Sequence, residues 1–353
     1  MRLEKRAANS TAALVLAPVG AVAFTLLVSA LLVLWAGAAV GQTYTLLFKG
    51  GFGSVFALSE TLTRAIPLIL TGLAVTVAFK ARLFNIGAEG QLYVGALAAV
   101  AVGGLHGGTG FDLPPSLLFV SMMLASALAG ALLLLGPALM KARLGVDEVV
   151  TTLLLNFIVL LFVSMMLDGA MKDPTAMGWP QSVALMGELE LSKLIDQTRV
   201  HTGLLWACAL AVGVWVLMQY TVLGFDIRAI GANARGAAFA GVPVTRTVVL
   251  VAMLSGALAG LAGAIEVAGR TSYVTLDMSP GYGYTGIVIA MLAGLHPLAV
   301  VAASIYVAGM LVGADSMSRA VGVPTYIADV IVAASLISVL VATLLTQYRV
   351  RWK

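Results

Sequence analysis

Charge is scarce in this chain. Only 10% of its 353 residues are Asp, Glu, Lys or Arg, while 61% are hydrophobic, and the mean hydropathy is +1.03. A water-soluble globule needs more polar material than this to cover its surface, so the solvent around most of the chain is lipid. Cysteine is nearly absent. The single Cys208 lies inside an apolar run, which excludes an intrachain disulfide framework or thiolate metal site and reads as a small buried hydrophobe. His106, His201 and His296 are the only histidines, and they lack ligand spacing, so no metal site is expected. There is no G-x-x-x-x-G-K-[ST] loop to cradle a nucleotide, and no H-E-x-x-H or G-x-S-x-G. These absences exclude the usual ATPase, zinc protease and serine hydrolase sites, so the chain is not expected to be an enzyme. The energy for any transport must come from a partner or a gradient.

Long apolar runs are what the chain does have. About 20 such residues cross a bilayer as a helix. Hydropathy, broken at charged, Pro and Gly clusters, predicts an all-α polytopic membrane protein with ten spans, near 14–36, 61–79, 86–104, 116–136, 149–167, 203–220, 247–267, 283–295, 298–314 and 328–346. The first run is longer than the apolar core of a signal peptide and leads into no cleavage pattern, so it reads as a retained span. The net charge of +4 is dispersed in twos and threes, which points to topology and not to nucleic acid. With the amino terminus in the cytoplasm, the inner segments collect Arg2, Lys5, Arg6, Lys80, Arg82, Lys141, Arg143, Arg228, Arg235, Arg246, Arg349, Arg351 and Lys353, 13 of the 20 basic residues. Both termini are therefore expected inside, and the span number even. An acidic outer loop at 168–202 carries Trp179, and a basic inner loop at 221–246 is rich in Gly and Ala. Spans two to five and seven to ten begin in opposite directions, as an inverted repeat requires, with Gly87 and Gly281 opening comparable stretches.

Polar residues inside this apolar background are the candidates for function. Asn85, Glu89 and Gln91 flank Gly87 and Gly90 where a helix starts or breaks. Glu89 is read as a cap of that helix or as a charged group on a solute path. Thr151, Thr152 and Asn156 share a helical stripe and serve as interhelical glue or as path lining. Tyr282 and Tyr284, in a Gly-Tyr-Gly-Tyr-Thr-Gly run, read as an interfacial belt or as faces for a ring to stack on. Glu60/Arg64 and Glu266/Arg270 have the i, i+4 spacing of structural pairs, and Asp329 reads as a helix-end acid. Around 231–242, Asn233 is a good N-cap, Gly241 a C′ residue and Pro243 a stop, which predicts a short inner helix.

Three stretches carry a resemblance. Phe84-Asn-Ile-Gly-Ala-Glu-Gly-Gln91 resembles the signature of permeases of the branched-chain-type ABC import superfamily, in its nucleoside and simple-sugar branch. Gly145-Val-Asp-Glu-Val-Val-Thr-Thr-Leu-Leu-Leu-Asn156 resembles its [HND]-E-V-[IV]-x-T-x-x-[LM]-N segment. Gly231-Ala-Asn-Ala-Arg-Gly-Ala-Ala-Phe-Ala-Gly-Val242 is similar to its G-x-N-x-x-A-A-x-Y-A-G-[IV] loop, with Phe239 where Tyr is usual. The resemblance implies a single permease domain over 1–353 in a bacterial inner membrane, importing a nucleoside-like or sugar-like solute. It implies an ABC ATPase partner that holds ATP and Mg, a second permease subunit, identical or related, and a substrate-binding protein. This chain itself would bind no cofactor and no nucleic acid. It further implies that Asn233, Arg235, Ala237, Ala238, Phe239 and Gly241 form the helix that docks into the ATPase, while Asn85, Glu89, Gln91, Thr152, Asn156, Tyr282 and Tyr284 are, by residue type and placement, the candidates for the path or its gate. Two other classes are weighed against this: an ion-gradient-driven secondary transporter, for which Glu89 is the strong mid-chain carboxylate, and an intramembrane enzyme, for which no nucleophile, base or metal cluster is visible.

Overall fold

The computed structural model describes residues 2–5, 27–31, 33–35, 37–104, 114–322, 330, 332–334, 337–338, 341 and 348–351. The first and last expected spans, Asp329 and His106 therefore fall largely or wholly outside the described residues. The chain divides into two compact units, one of Thr63–Ser304 and one of Met1–Leu62 with Ile305–Lys353.

Among the described residues six helices are long and apolar enough to cross a membrane: α2 (Val55–Lys80), α4 (Pro115–Leu144), α5 (Glu148–Asp168), α6 (Gly203–Tyr220), α8 (Val244–Glu266, continued as a π turn over Val267–Thr271) and α10 (Pro297–Val321). Two shorter apolar helices, α3 (Ala88–Gly103) and α9 (Tyr282–Leu292), have 16 and 11 residues. At a rise of about 1.5 Å per residue they extend only about 24 and 17 Å, less than the roughly 30 Å of bilayer hydrocarbon. The helix α7 (Val222–Phe239) is the least apolar of the long elements and carries the basic loop.

The larger unit is built on glycine contacts. Gly256 and Gly260 lie one helical turn apart on α8, and a methyl group at either would strike the backbone of α4 at Ser126–Ala131. Gly260 also meets Gly95 of α3, and Gly263 meets Leu92 and Ala96 of the same helix. In lipid there is little hydrophobic drive between helices, so backbone-to-backbone approach through small residues supplies the packing. In α2 every residue from Ala65 to Ala78 is buried, which marks a helix enclosed on all sides. By contrast α5 turns Leu154, Phe157, Ile158, Leu161 and Met165 outward, the pattern of a helix with one face in lipid. Cys208, expected to be buried, is only half-buried on α6, because that helix lies at the rim with Leu205 and Trp206 exposed beside it.

The smaller unit corrects the sequence reading once. A helix, α1 (Val40–Phe52), occupies a stretch where no helix was expected. Its Gly50 and Gly51 abut Gly309, Gly313 and Ser316 of α10, so its glycines serve contact instead of breaking the helix. Beside the helices of this all-α chain, a four-residue strand β1 (Arg2–Lys5) pairs antiparallel with β2 (Tyr348–Arg351), joining the two ends.

Candidate functional site, a pair of broken helices

The stretch between α2 and α3 is irregular: the amides of Ala81, Arg82 and Leu83 still bond to Ala78 and Phe79 at the end of α2, but those beyond have no helical partners. Side chains supply them. The Phe84 amide donates to Glu148 Oε1 at 3.1 Å, the Ile86 amide to Thr152 Oγ1 at 3.2 Å and the Gly90 amide to Asn156 Oδ1 at 2.9 Å. Asn156 Nδ2 also donates to the Ile86 carbonyl at 2.9 Å. Glu148, Thr152 and Asn156 are four residues apart, hence one stripe of α5 facing the break. Thr151, which the spacing had placed with them, instead bonds back to the Asp147 and Glu148 carbonyls of its own helix. Asp147 Oδ1 caps that helix by accepting from the Val149 amide at 2.8 Å. Glu148 is in turn held by an ion pair with Lys141.

Asn85 and Gln91 lock the break from within. Each amide donates to the other's oxygen, both at 2.9 Å. Asn85 Oδ1 also accepts from the Gly87 amide at 2.9 Å, and Asn85 Nδ2 donates to Ser255 Oγ at 3.0 Å. Ser255 itself donates to the Ala74 carbonyl at 2.7 Å. Buried polar groups without partners cost a few kcal/mol each, so this set is an answer to the broken backbone.

The second break lies between α8 and α9, and the first helix reaches across to it. Glu89, in the first turn of α3, is buried and accepts from the Gly283 amide at 2.6 Å, with Ser279 and the Gly281 amide also directed at the carboxylate. The acid thus caps the start of α9, a helix 194 positions away, where unpaired amides and the positive end of the dipole favour a negative charge. The two helix starts are close enough that a methyl group at Gly283 would strike Ala88 and Glu89. Gly87 is the N-cap residue of α3 and Gly281, at φ +85°, that of α9. Tyr93 strengthens the junction: its hydroxyl donates to the Leu276 carbonyl at 2.5 Å and accepts from the Ser279 amide at 3.4 Å.

Tyr282 and Tyr284 bracket Gly283. Tyr282 is buried, and its hydroxyl accepts from Arg270 at 2.9 Å, while Arg270 donates to the buried Glu266 at 2.5 Å. Tyr284 is part-exposed and accepts from Asn156 at 3.1 Å. The Glu266/Arg270 pair was legible from its spacing. Its link to Tyr282 was not, and neither were the roles of Glu148, Ser255 and Ser279. His201, just ahead of α6, is held neutral by burial, which pushes its pKa down to about 4, and its Nδ1 accepts from the Gly203 amide.

One prediction follows from the cap. Glu89→Ala leaves the buried Gly283 amide without its acceptor and should lower stability by about 1–3 kcal/mol. Glu89→Gln keeps a carbonyl oxygen there and should lose less. Thermal unfolding of both variants in one detergent checks this, and an alanine variant that melts with the parent would refute it.

On the basic loop, α7 breaks at Asn233, whose φ of −158° and ψ of 102° are not helical. Asn233 Oδ1 accepts from the Arg235 and Gly236 amides, both at 3.1 Å, so a new short helix starts there. It ends at Gly241, φ +89°, with the Val242 amide donating to the Ala237 carbonyl. Helical residues 222–232 lead straight into it, which the sequence reading did not foresee. Ala237 is buried, Arg235 and Ala238 are exposed, and Phe239 is 97% exposed. Gly231 lies against the Lys80 carbonyl at the end of α2, which ties this segment to the bundle.

Among the described residues no group of His, Cys, Asp and Glu is arranged to hold a metal ion. A family model described as branched-chain amino acid transport system / permease component matches residues 57–340. The guanosine ABC transporter permease protein of Bacillus subtilis is 35% identical over 320 residues, which is 90% of this chain and 90% of the relative. The glucose ABC transporter permease protein of Haloferax volcanii is 36% identical over 319 residues, 88% of this chain and 82% of the relative. The nucleoside ABC transporter permease protein of Lactococcus lactis is 31% identical over 335 residues, 92% of this chain and 90% of the relative. No solved structure matches the chain. Broken helices locked by buried amides, six helices of spanning length and a match over most of the chain lead to one conclusion: it belongs to the branched-chain-type permease family and is a multi-pass inner-membrane permease subunit of an ABC importer.

Proposed function

We propose that this permease carries a nucleoside-like or sugar-like solute, with ATP and Mg held and hydrolysed on a partner ATPase and the solute delivered by a binding protein. The names of the three relatives support the solute class. The observation that carries the mechanism is the meeting of two helix starts at Glu89 and Gly283, because interrupted helices are where transporters can line a path without exposing backbone to lipid. In this reading Glu89, Tyr282 and Tyr284 form the gate, and Asn85, Gln91, Thr152 and Asn156 are the frame that holds it. A second permease subunit, identical or related, completes the path.

The ten-span plan with both termini in the cytoplasm belongs to the same proposal. The pairing of the two chain ends supports their lying on one side. An inverted repeat is supported by the matched order of long helix, Gly N-cap and short helix at Gly87 and Gly281. The helix from Asn233 to Phe239 is the ATPase-docking element, with Arg235 and Gly241 at its flanks.

Uptake in cells tests the reading. With the proton gradient collapsed and ATP maintained, guanosine or glucose accumulation should persist. With ATP depleted it should stop. The reverse dependence would make the chain a gradient-driven carrier.

A further inference from the structure

We propose that the open cavity beside the π turn is a binding site for a neutral, hydroxyl-bearing ring solute, a station that holds it next to the second helix break. The proposal rests on the importer reading above and adds a site to it. The cavity measures about 680 Å³, within the 300–1,000 Å³ usual for small-molecule sites. It lies between the 179–199 segment of the large loop and residues 268–278.

Its walls are fixed before any solute arrives. The Leu191 amide donates to the Ala268 carbonyl at 2.8 Å and the Leu185 amide to the Ser272 carbonyl at 2.7 Å. Ser272, a non-glycine residue at φ +60°, is held in that left-handed conformation while its hydroxyl donates to Glu190 at 2.6 Å. Such strain persists only where surrounding contacts enforce it, and it concentrates at binding sites. The π turn beneath is likewise a feature that recurs at functional sites.

The lining chemistry selects the class of solute. Trp179 and Tyr273 offer aromatic faces on which a sugar or base ring can stack. Glu190 and Asp277 offer carboxylate oxygens, which accept from paired hydroxyls. Lys193 and Arg199 balance those two charges, and Glu266 balances Arg270, so the site carries no surplus of either sign. That composition favours a neutral polar solute over an anion or a cation. Arg270 lines the cavity and donates to Tyr282 at 2.9 Å, so an occupant sits one side chain from the first residue of α9.

The test is direct binding to the full chain in lipid nanodiscs, without other subunits, using tritiated guanosine and tritiated glucose as probes. We expect saturable binding of at least one, weakened tenfold or more by Trp179→Ala and by Asp277→Asn. Leu132→Ala, on the exposed face of α4, should bind as the parent does. If neither probe binds saturably, or both cavity variants bind like the parent, the proposal is overturned. It also falls if, in a separate pull-down with the binding protein, the variants lose its attachment while keeping solute affinity, for then the cavity is a protein-docking cleft. Failure of the importer reading would appear elsewhere, as absent ATP-dependent uptake by the complete transporter, which this measurement does not involve.

Discussion

Phe239→Ala should leave a protein that inserts and folds normally but no longer holds its ATPase. The ring is 97% exposed, so in the isolated chain it contributes almost nothing to folding and its removal leaves no cavity. Exposure of a large aromatic at the end of a short, capped helix is costly unless something covers it. Beside it Ala237 is buried and Ala238 is small, so the ring stands as a knob on an otherwise low surface. Aromatic side chains seated in a partner's cleft commonly supply about 2 kcal/mol or more of binding, which lowers ATPase affinity by roughly thirtyfold or more at about 1.4 kcal/mol per tenfold. Co-purification of the ATPase and ATP-driven uptake should both collapse, whereas attachment of the binding protein should not change. A cysteine placed at 239 should crosslink to the ATPase. Normal assembly and transport by the alanine variant, or crosslinks only to the binding protein, would remove the docking role from this helix.

Gly260→Leu should be more damaging still, and for the opposite reason. Gly260 touches the backbone of α3 at Gly95 and that of α4 at Ser126–Gly130, so both neighbouring helices would have to move to admit a side chain. Overpacking a fitted core costs about 1–3 kcal/mol and more where backbone must shift. With two helices displaced, a loss of about 3 kcal/mol or more is expected, enough to deplete the folded protein. Gly136→Ala is the control. Nothing lies within 4 Å of a methyl group there, and replacing a helix-interior glycine with alanine is worth about 0.5–1 kcal/mol in favour of the helix. Detergent-solubilised yield and melting temperature should separate the two variants in opposite directions. A Gly260→Leu protein with parental yield and melting would mean that the three helices do not cross here.

These predictions differ in how far sequence could have reached them. The short helix at Asn233 was legible because a cap residue, a C′ glycine and a proline stop act over a few positions. The Glu266/Arg270 pair was legible for the same reason. No helix was expected over 40–52, because nothing in the sequence indicates the partner helix that needs the small size of Gly50 and Gly51. Glu89 was read as a cap of its own helix or as a charged path group, and its carboxylate instead caps the start of α9.

The amino-acid sequence by itself determined the solvent, the apolar runs, the starts and stops of short segments and, through three motifs in order, the family. All of these depend on composition or on spacings of a few residues. Only the tertiary structure decided which polar groups meet: Gly90 with Asn156 across 66 positions, Asn85 with Ser255 across 170 and Gly283 with Glu89 across 194. In lipid every interrupted backbone group must find a partner within the protein. Many polar side chains could satisfy that demand equally well, and the path of the chain selects the ones that do.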